Sequence, residues 1–166
     1  MSDTTVIGIQ VEGLDRVIRD LNAEVKKIPF RTLRGMIKAG LWIQREAQKL
    51  TPVDFGNLKA SAFTVWSGKK GAPPQPSFKV DPEHPLVAVQ LAQNHNNVVA
   101  SEQANVGGDD FVSPTVEVGF TAFYAIYVHE DLNANHKVGT AKYLEKAISG
   151  NLEQIKRDIR EEAEKP

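Results

Sequence analysis

A long helical pattern cut off by a proline corner most limits how this chain can fold. Between Phe30 and Leu50, Leu33, Met36, Gly40, Ile43, Ala47 and Leu50 recur at intervals of three and four, the spacing of one helix face. At 1.5 Å per residue such a helix is about 30 Å long, the width of a small domain. It ends at Thr51-Pro52, because proline disfavours helix for the residue before it and has no N–H to donate. Asp54 and Gly56 then supply turn chemistry, since Asp bonds its own backbone and Gly tolerates positive φ. From Leu58 the chain reads as strand to Trp66, with Ser61, Phe63 and Val65 on one face and Ala62, Thr64 and Trp66 on the other. Thr51–Ser61 is therefore a helix-to-strand corner.

Glycine costs about 1 kcal/mol against alanine inside a helix. Gly35 and Gly40 in the long helix thus imply that another element comes close. Trp42 lies off the apolar stripe, among Lys38, Glu46 and Lys49. It is either covered by a loop of its own chain or is an anchor between subunits.

Around this helix the remaining patterns fall into place. Val6–Glu12 alternates as a half-buried strand and stops at Gly13. Leu14, Val17, Ile18, Leu21, Val25 and Ile28 form a helical stripe, and Pro29 ends that helix and can open the next. Ser67–Pro85 is punctuated by glycine and proline and reads as loop. Leu86–Leu91 fits a short strand, and Gln93–Asn97 and Glu102–Asp110 are polar. Residues 67–113 are accordingly read as an extended loop or hairpin excursion inside a single domain, 1–166. Such an excursion is either functional or plain disorder. Thr115–Phe120 alternates with Val116, Val118 and Phe120 inward, and Ala122–Val128 fits either a strand or a short helix. Thr140 is placed to cap a last helix with the stripe Leu144, Ile148, Leu152, Ile155 and Ile159. The order predicts an α+β fold: a small, mostly antiparallel sheet with a long central helix and a C-terminal helix packed on one face.

Composition narrows the function classes. The absence of cysteine removes disulfides, zinc thiolate sites and thiol catalysis. No apolar run approaches the ~20 residues of a membrane span, and no basic-then-apolar leader opens the chain, so no signal peptide and no membrane association are expected. Charge is segregated. Residues 1–79 carry +6, residues 80–136 carry −8 with no Lys or Arg, and residues 137–166 carry +1. The acidic block is either a solvated, loop-rich surface or one half of a molecule that docks basic face to acidic face.

Chemical motifs are sparse. His129-Glu130-Asp131 with His136 has the residue types of a metal site, but the histidines are seven apart and lack a third ligand. No Gly-x-Ser-x-Gly elbow is present, and Gly107-Gly108-Asp109-Asp110 lacks the Lys and helix of a phosphate loop. Lys69-Lys70 could touch phosphate, yet a pI near 6.4 opposes a dedicated DNA binder. No catalytic residue, cofactor or metal ligand is therefore assigned. An acidic wall of Asp81, Glu83, Glu102, Asp109 and Asp110 would instead repel DNA and let it slide.

Three motifs in order carry a resemblance: Thr51-Pro-Val-Asp-Phe-Gly-Asn-Leu-Lys-Ala-Ser61 after a long helix, Tyr124-Ala-Ile-Tyr127-Val-His-Glu130, and Gly139-Thr-Ala-Lys-Tyr-Leu-Glu-Lys-Ala147. Together they resemble the tail-completion, or head–tail joining (neck), proteins of long-tailed bacteriophages, over roughly the whole chain except 67–113. The resemblance implies a non-enzymatic virion protein, assembled in the host cytoplasm. It implies a homo-oligomeric ring, hexameric in that family, between the head connector or stopper protein and the tail terminator or tail tube protein. DNA would pass through the ring without sequence-specific binding. On this reading Pro52, Asp54, Gly56 and Leu58, with Tyr124, Tyr127, Glu130 and Gly139, hold the fold. Trp42, Lys69, Lys70, Phe78, Asp81, Glu83, Asp109 and Asp110 are candidate inter-subunit contacts. The alternatives are a tail terminator capping the tube, a metal-dependent hydrolase using His129, Glu130 and His136, and a monomeric regulatory binding module.

Overall fold

The computed structural model describes residues 14–68, 76–107 and 113–165, with side chains from Arg16 onward. The strand expected at Val6–Glu12 lies outside them, as do Lys69, Lys70, Asp109 and Asp110. The elements run α1 (Leu14–Val25), α2 (Ile28–Leu50), α3 (Asn57–Ala60), β1 (Ala62–Trp66), α4 (Pro85–Asn105), β2 (Val116–Phe120), α5 (Ala125–Glu130), α6 (Tyr143–Ser149) and α7 (Leu152–Ala163). This is the small α+β fold that the patterning predicts.

α2 is the spine. Pro29 sits in its first turn, where the missing N–H is no loss. The α2 residues that are buried are mostly small: Leu33 with Gly35, Ala39, Gly40 and Ala47. A Cβ on Gly35 would lie 2.8 Å from the Ile159 Cα, and one on Gly40 would lie 2.7 Å from a Val116 methyl. Both glycines therefore mark close approaches, Gly35 to α7 and Gly40 to the sheet.

β1 and β2 pair antiparallel, with Ala62 opposite Phe120 and Trp66 opposite Val116. Thr64, Val116 and Val118 face α2 at Gly40. Phe63 and Val65 point the other way and cluster with Val99 and Val106, so the sheet is covered on both faces. The second cover is α4, and here the structure corrects the reading of 67–113. Residues 85–105 are a helix of 21 residues, neither strand nor extended loop. Ala88, Leu91, His95 and Val99 make its buried face. His95 holds a helical position that a count of apolar residues leaves empty, which breaks the visible period.

The C-terminal region differs too. The expected single helix is two, α6 and α7, separated at Gly150-Asn151. Thr140 caps neither: its N–H bonds the Leu50 carbonyl at 2.8 Å, closing the end of α2, and Lys142 precedes α6 in the left-handed region at φ 58°. In α7 the buried residues are Asp158 and Glu162 rather than the isoleucines. Asp158 pairs with Lys38 at 3.2 Å and Glu162 with Arg34 at 3.5 Å.

Candidate docking cleft at the helix-to-strand corner

The corner begins where α2 runs out of partners. Thr51 is fully buried and extended, as the following proline requires. Its hydroxyl donates back to the Ala47 carbonyl at 2.7 Å. Gly56 turns the chain at φ 84°, and a helical turn, α3, intervenes before the strand where the alternation predicts β from Leu58. That turn is closed by the Ser61 hydroxyl donating to the Leu58 carbonyl at 2.7 Å. Buried Asn57 then grips a distant loop at two points. Its amide donates to the Lys79 carbonyl at 2.9 Å, and its carbonyl accepts the Lys79 N–H at 2.7 Å.

The sequence motifs meet here. Gly139, at φ 87°, lies directly on the corner, and a Cβ there would stand 2.6 Å from the Pro52 Cα. Leu58 belongs to a core cluster with Leu91, Ala122, Ala125 and Tyr143, against which Tyr124 packs. Asp54 is exposed and lies close enough to Tyr124 that its charge, after burial, raises the Tyr124 pKa. Glu130 accepts from His129 at 2.7 Å and from Lys142 at 2.5 Å. The Lys142 bond first, then the His129 bond, holds its carboxyl below the ordinary range.

Not every motif residue holds the fold. Tyr127 is 75% exposed, because α5 turns positions 124 and 128 inward and leaves 126 and 127 outside. The central tyrosine is Tyr143, 1% exposed. Its hydroxyl donates to the Ala125 carbonyl at 3.1 Å, and burial pushes its pKa up to about 12. Tyr143 is the first residue of α6, inside the Gly139–Ala147 motif, and that placement is the sequence signal for it. A second overlooked group is buried His95, whose Nδ1 lies 2.9 Å from the Thr121 hydroxyl. Thr121 also donates to the Ser61 carbonyl at 3.3 Å. This tie joins α4 to the corner, and burial lowers the His95 pKa.

The expected inter-subunit contacts divide. Phe78 is half-buried and packs against the core of its own chain, edge-on to His95 at 6.0 Å. Asp81 is half-buried and bonds the Glu83 N–H and the His84 ring, while Glu83 is exposed. Trp42 is half-buried.

A cleft of about 540 Å³ opens at the corner, lined among others by Pro52, Val53, Phe55, Leu58, Val87, Tyr124, Val128 and Val138. Asp54, Asp81, His136 and Lys137 supply its polar wall. Its rim is apolar and uncovered: Val53 and Phe55 are 43% and 42% exposed, and Val138 is 55% exposed. Phe123, stacked edge-on against Tyr124 at 5.2 Å, extends that surface beyond the cleft. For metal chemistry the arrangement offers little, because both Glu130 oxygens are engaged by His129 and Lys142. Among the described residues no group of three or more potential ligands is assembled, and no described helix is long and apolar enough to cross a membrane.

Fold and cleft together define a small α+β protein with an open corner cleft that is part apolar and part polar. Comparisons with protein-family models, curated proteins and solved structures find no match.

Proposed function

We propose that this chain is a structural subunit of the neck of a long-tailed phage, a completion protein that forms a ring joining the head connector to the tail tube. One observation carries the reading. The motif segments that resemble the neck family, far apart in sequence, pack on one another at the corner, with Gly139 seated on Pro52 and Tyr124 against Leu58. The fold thus uses those residues jointly, as a shared family scaffold would. The exposed apolar rim supports an assembly role, since large apolar patches mark interaction surfaces.

Electron microscopy of particles from a phage lacking this gene tests the proposal. Separate filled heads and finished-length tails are expected. Tails of uncontrolled length would make the protein a terminator, and normal infectious particles would overturn both.

A further inference from the structure

The two edges of the sheet are finished differently. The Ser67 N–H donates to the Thr115 carbonyl and the Thr121 N–H to the Ser61 carbonyl, both at 3.0 Å. In the antiparallel register the bonded pairs therefore fall on odd positions, and the backbone groups of even positions point outward. Side chains close the outer edge of β1: the Gln44 amide donates to the Ala62 carbonyl at 3.3 Å and the Gln103 amide to the Trp66 carbonyl at 2.9 Å. On β2 no described residue bonds the outward groups of Val116, Val118 and Phe120. β2 also lacks the proline, lysine or bulge that blunts an edge strand, and its pairing with β1 runs without a break. Its outer edge is a template for one more strand.

The chain carries such a strand in Val6–Glu12, the alternating segment outside the described residues. Its seven residues extend about 23 Å, enough to run along the five residues of β2. Ile7, Ile9 and Val11 would continue the apolar face of Val116, Val118 and Phe120, with Gly8 and Gln10 on the side of Glu117 and Gly119. The copy's own β2 is out of reach. α2 starts at Ile28 and meets the sheet at Gly40, about 18 Å further along at 1.5 Å per residue. Only Lys26 and Lys27 separate α1 from α2. Every described side chain of α1 is exposed, so no face of α1 lies back along α2, and α1 holds the segment before it away from its own sheet.

We infer that Val6–Glu12 of one copy adds as a third strand to the β2 edge of a second copy, held by main-chain hydrogen bonds. Each copy gives a strand at one surface and takes one at another, so the contact repeats from copy to copy until a ring closes. The inference rests on the ring reading above and specifies the contact that builds the ring.

The chain has no cysteine, so engineered thiols report contacts without background. Ile9→Cys and Val118→Cys lie at the centres of the two strands and meet whether the strands run parallel or antiparallel. The two chains are prepared separately, mixed and oxidised, with sedimentation recording self-association. Disulfide-linked pairs that form in the mixture and in neither variant alone are expected. Hydrogen exchange gives a readout independent of register: the Val116, Val118 and Phe120 amides should slow at least about tenfold on self-association, as groups entering a ladder do. Ile9→Pro removes a ladder donor outside the folded body, so it should weaken self-association about tenfold, restore fast exchange at those amides and leave the unfolding midpoint of the dilute chain unchanged. An intrachain disulfide in the Ile9→Cys/Val118→Cys double variant at high dilution would place the segment on its own sheet and overturn the inference. Self-association that leaves the β2 amides in fast exchange would sink the strand exchange and leave the ring reading to the particle assay. Mixed cross-links in a species that sediments as a closed dimer would support the exchange and oppose the ring. A chain that stays monomeric through the micromolar range overturns the exchange.

Discussion

α1 and α7 are both amphipathic helices of 12 residues, and only one of them is used by the body of the molecule. α7 lies against α2 at Gly35, close enough that a Cβ there would meet its backbone. It buries two acids, Asp158 and Glu162, that pair with Lys38 and Arg34. α1 has the cleaner apolar stripe, and every described side chain in it is exposed. Intrachain packing is therefore decided less by an apolar stripe than by a glycine that admits a backbone and by charges that meet across the contact. A stripe lacking such a partner remains available to another molecule.

Glycine substitutions break this comparison most directly. Gly139→Ala combines a left-handed conformation with a Cβ driven into Pro52. It should cost about 3 kcal/mol or more, the sum of αL strain and overpacking. Gly56→Ala shares the positive φ but meets nothing within 4 Å, so strain alone remains, about 1 kcal/mol. Denaturant unfolding midpoints measure both, and equal losses would mean that the corner does not press on Gly139.

The α2–α7 contact is the next test. Lys38→Met leaves buried Asp158 with Gln154 as its remaining described partner and should cost about 1–3 kcal/mol, the penalty of an under-satisfied buried acceptor. Gly35→Ala gains helix propensity but forces α7 outward, for a net loss of about 1–2 kcal/mol. A Gly35→Ala chain that unfolds at higher denaturant than the parent would show that α7 has room to spare.

A smaller effect follows from His95. Burial lowers its pKa in the fold, so between that value and the ordinary ~6.5 the unfolded chain binds the extra proton. Its contribution is fully present above about pH 6.5 and is lost as pH falls from there through the folded pKa. Glu130 and Glu162, held low first by Lys142 and Lys165 respectively, act in a separate window. Their contribution is present above the ordinary value of 4.5 and is lost as pH falls through their lowered folded values. His95→Gln should flatten the upper window of a stability–pH curve and leave the lower one in place.

The corner was legible in the sequence because its chemistry is local. Pro52 and Gly56 act on their own dihedrals, and the glycines of α2 announced close packing before the partner was known. α4 was not legible, because its buried face includes His95, and its Asn- and Gln-rich surface resembles loop. The pairing of Asp158 and Glu162 with α2 was hidden for the opposite reason. Charged residues read as solvated, and a burial created by partners more than 100 positions away leaves no local trace. The cleft itself lay in plain view as residues but not as a site: Val53, Phe55 and Val138 become one rim only when Gly139 brings the two segments together.

The smallest stability effect is also the sharpest test of the comparison. Leu21→Ser removes an apolar side chain from the centre of the α1 stripe, which in a buried helix would cost several kcal/mol. Because Leu21 is 61% exposed, the change should move the unfolding midpoint of the dilute chain by no more than about 0.5 kcal/mol, as surface substitutions do. The same change made at Leu33, 4% exposed on α2, should cost about 2–5 kcal/mol or more, the penalty of emptying and polarising a core site. A dilute-chain loss at Leu21 approaching that at Leu33 would mean that residues of the same chain cover α1, and the contrast between the two helices would disappear. A loss that emerges only as concentration rises would assign the missing cover to another copy.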